Sequence, residues 1–172
     1  SEGLLKALAT NPVIKKNVDT NNTEAYEYYL KGKYKLDKSQ NKEDVEVAFG
    51  MIEKAIKMDN NLIQAKNILA WRHGNSNFEK GLQMLEQNLQ EAKKNNDKYI
   101  TARTYLTRGN YLWRYTYNEL AIESYENARI IFNDLGDKNG LAESLNGLGI
   151  AYSKLGQYQK SFDLYSKGID IA

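Results

Sequence analysis

The chain has 172 residues, with 24 basic and 22 acidic side chains and a net charge of +2. That near balance gives no electrostatic reason to bind nucleic acid or an anionic membrane. The absence of Cys excludes a disulfide, a thiolate nucleophile and a Cys-based zinc site, and the single His, His73, excludes a multi-His metal site and argues against a His-centred triad.

No run of about 20 apolar residues occurs, so no bilayer span is expected. No secretory signal is visible, and the chain opens on Ser1 rather than Met; it reads as a cytoplasmic fragment of a longer protein. Apolar residues make up 41% of the chain, which suits a thin interior better than one dense core.

Taken in order, Leu4, Leu5 and Leu8 predict a short helix over residues 1–10, and the Asn-rich stretch around Pro12 predicts a linker, so residues 1–22 stand apart. Pro12 is the only proline, which leaves everything after it permissive for long helices. Asn22 or Thr23 is the expected N-cap, with Glu24 in the first turn. The first helical hairpin is expected over Glu24–Leu36 and Glu43–Met58. Its second helix turns Val47, Phe49, Met51, Ile52, Ala55 and Ile56 inward, and a long polar loop joins the two helices. The second hairpin runs over Leu62–Arg72 and Phe78–Lys93, around a turn of His73, Gly74, Asn75, Ser76 and Asn77. Leu82, Leu85, Leu89 and Ala92 give its second helix one apolar side. The third spans Tyr99–Tyr115 and Asn118–Leu135, and the fourth Leu141–Leu155 and Tyr158–Ile171. Turn residues from Gly136 to Gly140 connect them, and Gly156 is the expected helix-ending residue of positive φ.

A block of sequence recurs. Gly109, Tyr125 and Ala128 are answered 40 residues later by Gly149, Tyr165 and Gly168. A fixed period of this size marks a solenoid, whose units bury their apolar sides only against their neighbours.

These residues resemble the tetratricopeptide repeat. Leu145, Leu148, Gly149, Tyr152, Gly156, Tyr158, Tyr165 and Ile169 of the fourth unit fall on its signature spacing. Gly109, Leu112, Ala121, Tyr125 and Ala128 do so in the third, Ala48, Ile52 and Ala55 in the first, and Gly81 and Leu85 in the second. The chain departs from the family pattern at Ser161 and Gly168, where Ala is usual, and at Asn60, where shorter units often carry Pro. The resemblance covers about residues 23–172. It implies an all-α, right-handed superhelical solenoid of about four antiparallel helix–turn–helix repeats, near 24–59, 62–94, 99–135 and 139–172. The strings TEAYEYYLKGKY and LGDKNGLAESLNGLGIAYSKLGQYQKS are also similar to arrays in bacterial signalling proteins, in which a cyclase, a Ser/Thr kinase or a transcriptional regulator precedes the repeats. That likeness implies the regulatory or docking part of a larger protein.

Catalytic patterns are not found. Glu143 and Asp163 stand on opposite helices of one hairpin, and Gly147 and Gly149 follow no strand, so they read as packing residues rather than a phosphate loop. Asp134, Asp137 and Asn139 lack the spacing of a calcium loop. No enzyme activity, metal or cofactor is therefore expected. The family resemblance instead implies a concave face, lined by first helices, that binds a protein or peptide. Its positions correspond to Asn67 and Trp71, to Arg103, Leu106, Asn110, Trp113 and Arg114, and to Glu143, Asn146, Ile150 and Ser153. Of these, Asn67, Trp71, Arg103, Asn110, Trp113, Arg114 and Asn146 are the candidate binding residues. Amides can bond a peptide backbone, guanidinium groups a carboxylate, and indoles can anchor a side chain. Glu143 and Gly147 stand where a basic clamp for a C-terminal carboxylate would need cations, which argues against that mode. The alternative is a homodimer through the fourth unit, where Leu145, Ile150 and Tyr152 are expected to form an uncapped apolar edge.

Overall fold

The computed structural model describes residues 22–171. The helix expected over residues 1–10, and the linker up to residue 21, lie outside the described residues. Among the described residues there are eight helices and no strand. They are α1 (Thr23–Asp37), α2 (Lys42–Met58), α3 (Ile63–Gly74), α4 (Phe78–Lys94), α5 (Lys98–Arg114), α6 (Asn118–Leu135), α7 (Lys138–Lys154) and α8 (Tyr158–Ile171). Successive helices pair as hairpins, which is the all-α helical-repeat class the period predicts. The chain divides into two compact units, Ser1–Ala65 and Lys66–Ala172, with the division inside α3.

In the first unit, Asn22 is the N-cap of α1. Its side chain accepts from the Ala25 amide at 3.0 Å and donates to the Met58 carbonyl at 3.1 Å, tying the start of α1 to the end of α2. Asn41 caps α2 in the same way. Gly32 is buried against the Ile52 side chain and the Ala48 carbonyl; a Cβ there would come within 2.9 Å of both. Lys35 pairs with Asp44 across the hairpin at 2.7 Å. That hydrogen bond is the main cause holding the Asp44 carboxyl below its usual range. The inward side of α2 is formed by Ala48, Phe49, Ile52 and Ala55. Val47, expected among them, is exposed because it sits one residue off the stripe.

In the second unit α4 packs on α5, α5 on α6, α6 on α7 and α7 on α8, and the first helices α5 and α7 also touch each other. Its core is a cluster of Ala102, Leu106, Leu112, Ala121, Tyr125, Ala128, Phe132, Leu148 and Ala151, with a smaller one of Ala70, Leu85 and Tyr111. Rings lie directly on glycine backbone. Tyr125 is held between Gly109 and Gly147, where Cβ atoms would stand 2.7 and 2.5 Å from its ring. Tyr165 lies against Gly149 in the same way, and Phe132 occupies the space a Cβ on Gly140 would need. The last contact explains where the expected boundary shifts. Gly140 was predicted as part of a turn, yet α7 begins at Lys138, capped by the Asp137 side chain on the Gly140 amide at 3.1 Å. Gly140 is then a first-turn residue kept bare for Phe132.

The turns repeat with the same 40-residue period. Asn96 (φ 55) and Gly136 (φ 68) are equivalent, and so are Thr116 (φ 68) and Gly156 (φ 74). A β-branched residue in the left-handed region is strained by about 1–2 kcal/mol. Thr116→Gly relieves that strain but adds roughly 0.5–1 kcal/mol of unfolded-chain entropy. We expect a net gain of about 0.5–1 kcal/mol in urea unfolding; a loss would show the turn unstrained.

A second prediction separates packing from propensity. Ala for Gly inside a helix gains about 1 kcal/mol, while overpacking a fixed ring loses about 1–3 kcal/mol. Tyr125 is crowded by both Gly109 and Gly147, so Gly147→Ala should destabilise by up to about 2 kcal/mol. Gly50, in α2, has nothing within 4 Å of a built Cβ, so Gly50→Ala should instead stabilise by about 1 kcal/mol. Equal signs for the two would refute the seat.

Candidate partner-binding face

On α5 the residues Arg103, Leu106, Asn110 and Trp113–Arg114 recur at helical spacing and so share a side. Glu143, Asn146, Ile150 and Ser153 do the same on α7. The structure joins these first-helix sides through two contacts. Arg103 Nη1 meets Glu143 Oε2 at 2.9 Å, linking α5 to α7. The Arg114 guanidinium lies 5.8 Å from the centre of the Trp71 ring, linking α5 to α3. Arg103 and Glu143 occupy equivalent places one period apart, so opposite charges at a repeated position hold neighbouring units in line. The pair is substantially exposed, and such pairs contribute about 0–1 kcal/mol; a competing carboxylate can take Arg103 at little cost.

Of the seven candidates, Asn110, Arg114 and Asn146 are exposed, and Trp71, Arg103 and Trp113 are half-buried. Trp71 packs edge-on to Tyr111, with ring centres 5.6 Å apart. Trp113 lies against the larger core cluster. Asn110 Oδ1 accepts from the Tyr125 hydroxyl at 2.9 Å. Leu106 is inside the core rather than on the face. Asn67 is also turned inward, only 5% exposed. Its amide donates to Thr104 Oγ1 and its carbonyl oxygen accepts from Asn88 Nδ2, both at 2.9 Å. Next to it, Lys66 pairs with Glu91 at 2.8 Å. Asn67 thus joins α3, α4 and α5 instead of meeting solvent. The family resemblance implied a place on the face for Asn67, but its amide is taken up by Thr104 and Asn88.

Two groupings escaped the sequence reading. Arg108 is largely buried; its Nε meets Glu86 Oε1 at 2.6 Å and its Nη1 bonds Ser124 Oγ, so one guanidinium ties α4, α5 and α6 together. Phe78 stacks on Tyr111 and Tyr117 at 5.5 and 4.9 Å and meets Tyr115 at 4.9 Å. The Tyr111 hydroxyl donates to the Phe78 carbonyl at 2.9 Å and that of Tyr115 to the Gly74 carbonyl at 2.7 Å, fastening the α3–α4 turn to the end of α5. The crowding of Tyr111, Tyr115 and Tyr117 in sequence was the available signal for this cluster. His73 is half-buried in the last turn of α3, where its carbonyl accepts from Asn77 at 3.0 Å. Among the described residues no group of three or more His, Cys, Asp or Glu is placed to hold a metal ion. None of the described helices is long and apolar enough to cross a membrane.

Comparison with known proteins fits this geometry. The tetratricopeptide repeat pattern matches residues 118–172, the stretch that contains α6, α7 and α8. The Rap protein complexed with Competence and Sporulation Factor has a TM-score of 0.68 at 18% identity, covering 100% of this chain and 59% of Rap. BtubC (BKLC) from P. vanneervenii has a TM-score of 0.65 at 19% identity, covering 99% and 71%. This chain therefore spans less than two thirds of the length of Rap. Identities this low establish the fold. The chain has an all-α helical-repeat fold, and its residues 118–172 match the tetratricopeptide repeat. No curated protein matches its sequence.

Burial raises the hydroxyl pKa of Tyr111 to about 12, and burial raises that of Tyr125 as well. Both shifts are upward, so the fold holds neutral phenols. The stability they bring is whole below pH 10, the unfolded value, and is lost as pH climbs towards and through 12. Urea midpoints should fall between pH 9 and pH 11, with a shallower fall in Tyr111→Phe; equal slopes would remove Tyr111 as a cause.

Asn67→Ala strands the buried Asn88 and Thr104 groups and should cost about 1–3 kcal/mol. A loss of stability below about 0.5 kcal/mol would show that the network contributes little.

Proposed function

We propose that this chain is a protein-interaction scaffold that takes a peptide or a partner domain along the first-helix side of α3, α5 and α7. The observation that carries the reading is the continuity of that side. Trp71 and Arg114, then Asn110 and Trp113, then Arg103 and Asn146 form a run in which indole edges alternate with amides and guanidinium groups. That mixture suits a peptide, with aromatic anchors for side chains, amides for backbone groups and Arg for a carboxylate. Asn67 is left out of the proposed set because its amide is engaged inside the array. The fold likeness to Rap, solved as a complex with Competence and Sporulation Factor, supports a partner-holding role. The wider reading is the docking part of a larger, cytoplasmic bacterial signalling protein, and it rests on the resemblance of the repeat strings to such arrays.

The test is selection of ligands from a displayed random-peptide library against the full chain. Selected peptides should change the Trp71 and Trp113 fluorescence, and Arg114→Ala or Trp113→Ala should weaken them at least about tenfold. If circular dichroism shows both variants folded and binding is undiminished in each, the face is misassigned.

A further inference from the structure

Helix α7 is turned inward along most of its length. Leu145 is buried and Ile150 and Tyr152 are half-buried, so the apolar edge expected for a homodimer is not formed by them. Two asparagines of α7, Asn139 and Asn146, are exposed, and each is followed by a glycine and a leucine. They form the only Asn–Gly pairs in the chain. The repeat itself does not require them: 40 residues earlier α5 has Tyr99–Ile100 and Leu106–Thr107 at the same places. The glycines answer rings instead, since a Cβ on Gly140 would run into Phe132 and one on Gly147 into Tyr125.

An Asn–Gly pair carries its own reaction. The glycine backbone nitrogen attacks the Asn Cγ. The bond from Cγ to the side-chain nitrogen breaks, ammonia leaves with the proton of the glycine N–H, and a five-membered succinimide closes. Water then opens the ring at either of its two carbonyls, giving aspartate or isoaspartate. Glycine favours closure because it has no Cβ to obstruct the nitrogen and takes up the backbone angles freely. An α-helix opposes closure, because its hydrogen-bond ladder fixes both the nitrogen and the Asn backbone. The rate in a helix is therefore set by how often that part of it opens.

The two pairs differ in what must open. Gly147 lies in the middle of α7 (Lys138–Lys154), and freeing its nitrogen breaks the helix in mid-course. Gly140 is the third residue of α7, where N–H groups have no carbonyl one turn back. Its N–H is held by the Asp137 side chain at 3.1 Å, and the Leu141 N–H follows with a bond to the Asp137 carbonyl at 2.9 Å. Fraying of one turn releases both. Asn139 is exposed, so ammonia can leave and water can enter.

We infer that Asn139 is a self-modification site, converting through a succinimide with Gly140 to aspartate and isoaspartate in the folded chain, while Asn146, in the same Asn–Gly–Leu setting, is protected. The isoaspartyl product has an extra main-chain carbon just before Gly140. The Asp137 cap and the Phe132 seat on Gly140 cannot then both be kept, and the first turn of α7 loosens. The aspartyl product keeps the main chain and adds an anion to a first turn that has none, where the helix dipole favours it. The inference does not rest on the proposed first-helix site.

The test holds the full chain at neutral pH and physiological temperature, native and in urea. The tryptic peptide of residues 139–154, which carries both sites, is followed by fragment mass spectrometry. In urea the two asparagines should convert at rates within about twofold, since their following residues match. In the native chain Asn139 should convert at least about tenfold faster than Asn146. Asp137→Ala, which removes the cap, should speed Asn139 at least about threefold and leave Asn146 unchanged. The isolated isoaspartyl form should exchange the Leu141 amide at least about tenfold faster than Asn139→Asp does. The inference is overturned if native Asn139 stays intact while the chain in urea converts, if Asn146 keeps pace with it, or if Asp137→Ala leaves its rate unchanged. Equal exchange in the two product forms would overturn the effect on α7.

Discussion

An aromatic ring packed directly against glycine is the contact on which the second unit depends. A helix-interior glycine weakens its own helix by about 1 kcal/mol relative to alanine. What it permits is burial of a tyrosine or phenylalanine ring of about 150–250 Å², a gross gain of roughly 4–6 kcal/mol. Tyr125 takes this contact twice, from Gly109 and Gly147, and so sets the spacing of α5, α6 and α7 at once. Tyr111 plays the corresponding part between Gly74 and Gly81. Ring size and the bare backbone opposite it fix how closely one hairpin can approach the next.

Around these dry contacts the array uses polar side chains as cross-ties. Arg108 joins three helices through Glu86 and Ser124. Asn67 joins three through Thr104 and Asn88. A half-satisfied network of this kind would be worse than an apolar one, because a buried unpaired amide or cation is costly. Both are closed by well-formed bonds, so the interior spends its polar groups on alignment. Asn110, Arg114 and Asn146 are left facing outward on the first helices.

The helical-repeat class was legible because the period of 40 brings Gly109 and Gly149, and Tyr125 and Tyr165, into register. Caps were legible too: Asn22 and Gly156 act where turn chemistry places them. Gly140 was misplaced because glycine signals a turn and a close approach equally well, and only the position of Phe132 separates the two. The face was partly legible. Asn110, Arg114 and Asn146, which the family resemblance implied for the face, are exposed. Asn67 was not, since an amide is equally at home bonding a ligand or bonding Asn88 and Thr104, and no local pattern records which partners lie across three helices.

The hydrogen bond from the Tyr125 hydroxyl to Asn110 Oδ1 carries a chemical consequence for recognition. The carbonyl oxygen of the exposed Asn110 amide is engaged by a residue of the core, which leaves its N–H groups as the donors without that tie. Asparagine is usually ambidextrous, able to give or to receive. Here its carbonyl oxygen is engaged, and a backbone carbonyl is what its N–H groups would meet under the proposed function. The same tyrosine that spaces the hairpins thereby ties an exposed amide of α5 to the core.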